Sequence, residues 1–185
     1  NHMKFLILFF LTITTIFANS SKEILLLHSY NNGLKWTDGI TQGIKEILDK
    51  YPEFELTIEY MDSKKIDSQE YFDILMNLYE KKFSNRKYSV VIAADNYAYE
   101  FVLKNHKKLF DESSVVFTGV ENFDKDFIPL ELKKYVTGVV EYKEIKENIE
   151  LIKKTITDLN TLYIISDDTF SSLAIKEQIL NDVKS

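Results

Sequence analysis

Apolar residues in this chain come in short runs that break off in side chains able to hold a polar ligand. The clearest is Val90-Val91-Ile92-Ala93-Ala94, followed at once by Asp95-Asn96 and then Tyr97-Ala98-Tyr99. Runs over 24–30, 115–122 and 162–169 end the same way, in Ser, Thr, Asn, Asp, Glu or Gly. A short apolar run bounded by polar residues reads as a buried strand. Its polar end then marks the carboxyl edge of an open α/β sheet, where ligands bind because helix N-termini and loop amides converge outside it.

Between these runs the period changes from two to about 3.6. Strands are expected over 23–28, 54–61, 89–94 and 114–120, and helices over 36–50, 68–83 and 97–110. Ile40, Ile44, Ile47 and Leu48 form the apolar stripe of the first helix, with Thr37 and Asp38 in its first turn and Tyr51-Pro52 ending it. Tyr71, Ile74, Leu75, Leu78 and Tyr79 play that part in the second. An acidic-aromatic loop follows over 121–127. Strand-helix alternation of this length requires right-handed crossovers and predicts an α/β fold with a doubly wound parallel sheet. The first lobe then covers 20–135.

A second unit begins with strand-like residues 135–142, read as a crossover over 136–142. A helix over 143–157 follows, then a strand over 161–166, the polar turn 167–172 and a helix over 173–183. Two helices and about one strand cannot cover both faces of a parallel sheet. Residues 143–185 therefore read as the truncated start of a second α/β lobe, with the missing strands in further chain or in a partner.

Residues 1–19 set the compartment. Asn1-His2 read as a cloning remnant, and Lys4 precedes a mostly apolar run over 5–17 that closes on Ala18, the plan of a secretory signal peptide. The run is shorter than the roughly 20 residues that span a bilayer, so cleavage after Ala18 is expected and the domain is placed in the periplasm or another extracytoplasmic space. The chain has no cysteine, which excludes disulfides, thiolate metal sites and a cysteine nucleophile. A net charge of −6 argues against nucleic acid, whose binding needs a concentrated basic face. The one cluster, Lys81, Lys82, Arg86 and Lys87, lies where a helix C-terminus favours cations.

Several segments resemble one family in order. These are Ile24-Leu25-Leu26-Leu27-His28-Ser29-Tyr30; Trp36-Thr37-Asp38-Gly39-Ile40 with Gly43-Ile44; Asp95-Asn96-Tyr97-Ala98-Tyr99-Glu100-Phe101; Val115-Val116-Phe117-Thr118-Gly119-Val120 with Asn122-Phe123; Thr137-Gly138-Val139-Val140-Glu141; and Tyr163-Ile164-Ile165-Ser166-Asp167-Asp168-Thr169. Together they resemble extracytoplasmic sensor domains related to ABC-transporter substrate-binding proteins of the type I periplasmic fold. The resemblance implies a small ligand held between two α/β lobes that close about a hinge. It also implies a membrane-linked output, a histidine kinase or diguanylate cyclase, with a free solute-binding component serving an ABC permease as the alternative. The His28-Ser29-Tyr30 and Asp95-Asn96-Tyr97-Ala98 wording leans to the sensor branch. Ser113-Ser114 depart from the family, which usually has a proline there, a change expected to touch only the local turn.

The candidate ligand groups follow from the strand ends. Ser29 and Tyr30 close the first strand, and Trp36 offers a ring to stack on or an edge to pack. Asp95 and Asn96 lie between strand and helix, where N-capping would occupy one of them. Thr118, Gly119, Glu121 and Asn122 offer small-residue approach and polar contacts, with Gly119 also suited to a positive φ. Asp167 and Thr169 would face them from the second lobe. His28 reads as a core histidine rather than a metal ligand, and His106 as solvated. No cofactor is implied. Catalysis is a poor reading, since the sequence lacks a Gly-rich phosphate loop, a His-x-x-x-His pair and a Gly-x-Ser-x-Gly elbow. The ligand class stays open among amino acids, carboxylates and small aromatics. Exchanging Asp95 and Asn96 together for alanine is expected to abolish binding at little cost to stability, by calorimetry and thermal melting.

Overall fold

Five strands hydrogen-bond side by side into one all-parallel sheet. The computed structural model describes residues 22–66, 68–168 and 170–184. In chain order they form β1 (Lys22–His28), α1 (Lys35–Leu48), β2 (Phe54–Tyr60), α2 (Gln69–Phe83), β3 (Tyr88–Ala94), α3 (Asp95–Leu109) and β4 (Ser114–Glu121). After two short 3-10 turns come β5 (Val136–Glu141), α4 (Ile145–Thr155) and α5 (Phe170–Lys184). The strand order is β2-β1-β3-β4-β5. This is a doubly wound parallel α/β fold, and its order reverses between β1 and β3, the switch point outside which such sheets open a crevice.

Alternation along each strand sends neighbours to opposite faces. One face carries Leu25, Leu27, Val91, Ala93, Val115 and Phe117, which form the main core with Leu75, Tyr79 and Phe83 of α2 and Phe101, Val102 and Leu103 of α3. Each such side chain removed from water contributes about 1.5–3 kcal/mol. The other face carries Ile24, Leu26 and His28, all buried. His28 reaches Thr41 of α1 (Nε2 to Oγ1, 2.8 Å) and stacks on Tyr60 with ring centroids 5.3 Å apart. Burial pushes its pKa down to about 4, so the ring is neutral. His106, expected in solvent, is instead buried, with Nε2 2.9 Å from Ser113 O. A helical period cannot reveal this, because the partner lies in the turn beyond the helix.

Residues 136–142, expected as a crossover, contain β5, which pairs with β4 in register from Val115↔Val136. The strand expected over 161–166 is absent. No regular element covers 161–168, and Tyr163 and Ile165 are 84% and 96% exposed. A strand exists only against a neighbour's hydrogen-bonding edge. Among the described residues none pairs with this segment. α5 packs on α3 and β4, and α4 packs on α5.

Gly138 of β5 lies opposite Phe117, and a Cβ there would stand 2.3 Å from Phe117 O and 2.4 Å from its ring. Gly138→Ala is therefore expected to lower the unfolding free energy by about 1–3 kcal/mol, as overpacking does, read as a lower urea midpoint with an unchanged slope.

Candidate functional site

α3 starts at Asp95, the residue directly after β3, with no linking turn. So sharp a corner puts Asp95 in the left-handed region (φ +70°), which Asp and Asn tolerate better than other non-glycine residues. Asp62 (φ +51°) and Asn122 (φ +49°) do the same just past the ends of β2 and β4. A fourth such residue, Glu112 (φ +68°), lies in the turn before β4; the other three share the sheet's carboxyl edge, where strained backbone commonly marks a functional surface.

Neither Asp95 nor Asn96 is an N-cap, contrary to that reading of the sequence; the cap position is Ala94, with no side-chain cap. The capping oxygen comes from another strand. Ser29 Oγ accepts from Ala98 N (2.8 Å) and donates to Ala94 O (2.8 Å). Asn96 joins α3 to the end of β4, its Nδ2 donating to Glu121 O (2.9 Å) and its Oδ1 accepting from Glu121 N (3.0 Å). Both pairs are buried. The double alanine exchange at Asp95 and Asn96 would therefore cost stability, since each orphaned backbone group loses about 1–3 kcal/mol.

The corner presents a cluster at the β1/β3 switch point. Trp36, in the first turn of α1, donates from Nε1 to Asp95 Oδ1 at 2.9 Å. Gly119 lies against both, at a register shift between Thr118 and Val120 and with φ +69°. A Cβ on Gly119 would meet Asp95 Oδ1 at 3.0 Å and Trp36 Cζ2 at 3.2 Å, so the position needs glycine for space as well as for backbone. Glu121 closes β4, and its Oε1 lies 3.1 Å from Lys143 Nζ, which also pairs with Glu141. Lys64 sits over the Tyr30 ring, 4.6 Å from its centroid.

Two acceptors in this cluster take no hydrogen bond: Asp95 Oδ2 and Glu121 Oε2. Asp95 is 4% exposed and Glu121 7%. Burial above all, aided by Glu141 and Glu121 and opposed by the Trp36 N–H and Lys64, pushes Asp95 up to about 7. Burial also raises Glu121, against the pull of Lys143.

The residues named from sequence divide. Trp36, Asp95, Asn96, Gly119 and Glu121 come together. Ser29 is fully buried with its hydroxyl used inside the fold, and Tyr30 is buried beneath Lys64. Thr118 is half-buried between Ala94 and Val139. Asn122 turns toward α5 and donates to Glu177 (3.2 Å). Asp167 is exposed in the irregular stretch before α5, and Thr169 lies outside the described residues. Sequence reasoning missed Lys64, Glu141 and Lys143. Each stands at a strand's carboxyl end or within four residues beyond it, so the rule that found the others applied to β2 and β5 would have found these.

The chain matches no protein-family model, no curated protein and no solved structure. Among the described residues no group of three His, Asp or Glu side chains could hold a metal ion, and no helix is long and apolar enough to cross a membrane. An open groove of about 570 Å³ lies elsewhere, between α2 and α3, lined by Phe72, Met76, Tyr97 and Phe101. It is flanked by aromatic packing, with Phe72 and Tyr97 centroids 4.0 Å apart. The unmet acceptors and strained backbone favour the Asp95 edge over it.

Asp95 titrates near 7 folded and at roughly 4 unfolded. The stability its neutral form contributes is full below about pH 4 and is lost as pH rises toward 7. Asp95→Asn keeps a side chain suited to this φ and an acceptor for Trp36. Its stability relative to the parent is expected to rise by about 2–4 kcal/mol between pH 4 and 8, measured by urea unfolding across that range.

Proposed function

We propose that this chain is an extracytoplasmic small-molecule-binding sensor domain. Ligand is held at the β1/β3 edge, and closure of the following unit on it passes a signal to a membrane-linked histidine kinase or diguanylate cyclase. The observation that carries this reading is the cluster of Trp36, Asp95, Gly119 and Glu121 at the sheet's switch point, with two buried acceptors unmet. Buried polar groups in folded proteins find partners. His28 Nδ1, Thr37 Oγ1 and the hydroxyls of Tyr79, Tyr88 and Tyr99 also go unmet, but the Asp95 and Glu121 pair stands at the crevice edge, within a ligand's reach. The apolar run over 5–17 supports export.

The link to movement lies in α5. Asn122 reaches Glu177, and Gln178 donates to Lys143 O at 2.5 Å. The residues just past β4 and β5 therefore hold α5, while Lys143 also holds Glu121 beside Asp95. A ligand that favours one arrangement of Glu121 and Lys143 shifts the α5 position by its differential affinity for the two.

Trp36 is the only tryptophan in the chain and is 45% exposed in the site, so its emission reports on occupancy. Titration with amino acids, carboxylates, purines and small aromatics is expected to give one chemical class that changes Trp36 emission saturably and raises the melting temperature. At a hundred times Kd the gain is about 2.7 kcal/mol. Unchanged emission and melting across the whole panel, from a folded sample, would count against the proposal.

A further inference from the structure

We infer that the ligand carries a protonated nitrogen, an ammonium or amidinium, with Asp95 as its principal acceptor and the Trp36 ring as the wall beside it. The inference rests on the reading of this edge as a ligand site and names the chemistry it takes.

Three carboxylates, of Asp95, Glu121 and Glu141, act on one another here, and two cations stand among them. Lys143 is held by Glu121 and Glu141, and Lys64 lies over Tyr30. Among the described residues no ion pair reaches Asp95, whose Oδ1 accepts from the neutral Trp36 N–H. A buried carboxylate without a cation is costly. Asp95 meets this cost by keeping its proton; a cationic ligand lets its carboxylate form with a partner, whereas an anionic one would add to the charge of Glu121 and Glu141. A cation supplies what is missing.

Hydrogen-bond chemistry points the same way. Asp95 Oδ2 and Glu121 Oε2 are acceptors, and both side chains are more than nine-tenths buried. An ammonium brings three donors and no acceptor. Its charge-assisted bonds to carboxylate are roughly twice as strong as neutral ones. Trp36 adds a half-exposed indole, the best aromatic surface for a cation within about 6 Å. Because Trp36 donates to Asp95 Oδ1, a cation arriving at Oδ2 changes the charge beside the indole, so binding should be visible in its emission.

Binding is coupled to a proton. With Asp95 near 7 and faced by Trp36 of α1, Glu121 of β4, Glu141 of β5 and Lys64 after β2, the carboxyl is largely protonated at pH 6. Capture of a cation expels that proton.

The test uses propyl, benzyl and indolylethyl skeletons at millimolar concentration, each as primary amine, carboxylic acid and primary amide. They are added to the parent protein, Asp95→Asn and Glu121→Gln, reading melting temperature and, for the propyl and benzyl series, Trp36 emission. Amines alone are expected to bind, at least tenfold more weakly to Asp95→Asn. Calorimetry at pH 6 in buffers of different ionisation heat should show about one proton released per amine bound by the parent and none by Asp95→Asn. A response to acids or amides without amines would overturn the inference while leaving the edge a binding site. Equal amine affinity in parent and Asp95→Asn would also overturn it, moving the acceptor elsewhere. No response to these probes or to the wider panel would overturn both readings.

Discussion

The Ser29 hydroxyl holds the switch point together. One oxygen at the end of β1 donates to the last carbonyl of β3 and accepts from an amide in the first turn of α3. It thereby gives the Ala98 amide at the helix start a side-chain partner, with no capping residue in α3 itself. That frees Asp95 to stand at the corner rather than fold back as a cap. Asn96 applies a matching restraint from the other side by gripping both backbone groups of Glu121. Between them these side chains fix where Asp95 and Glu121 stand, without touching either carboxylate.

What is fixed is energetically unfavourable by itself. Asp95 combines a left-handed backbone, near-complete burial, an unmet oxygen and two carboxylate neighbours. Each of these works against the folded state, and they coincide at one residue. A fold keeps such a position only where surrounding structure over-determines it. The buried sheet supplies that, since the leucines of β1 and the aliphatic and alanine residues of β3 pack beneath the corner. Gly119 completes the arrangement by leaving room for Asp95 and Trp36 to meet.

The contrast within the chain is one of packing. Strands β1, β3 and β4 have neighbours on both sides and helices on their faces, so their side chains are largely buried. Residues beyond β5 have fewer such neighbours. Leu151, Ile156, Tyr163, Ile165, Leu173 and Val183 remain exposed, and α4 buries no residue fully. Beside its packing on α3 and β4, α5 makes polar contacts with Asn122 and Lys143. Such contacts reorganise more readily than a packed apolar layer, which suits an element whose position a ligand is proposed to bias.

The sequence by itself determined the α/β alternation and the strand ends that carry chemistry. Apolar runs of strand length and helices with a 3.6-residue stripe are local properties, and burying them leaves little choice but a parallel sheet. Asp95, Asn96, Gly119 and Glu121 were legible because each sits where such a run stops. Only the tertiary structure decided that Trp36 bonds Asp95 across 59 residues, that Ser29 caps a helix it does not belong to, and that Lys143 joins Glu121. It also decided that 136–141 extends the first sheet while 161–166, as apolar and β-branched, forms no strand. The physical reason is common to all of them. A side chain's partner and a strand's neighbour are set by which segments pack together, and the period of a sequence records which face is apolar but not what will lie against it.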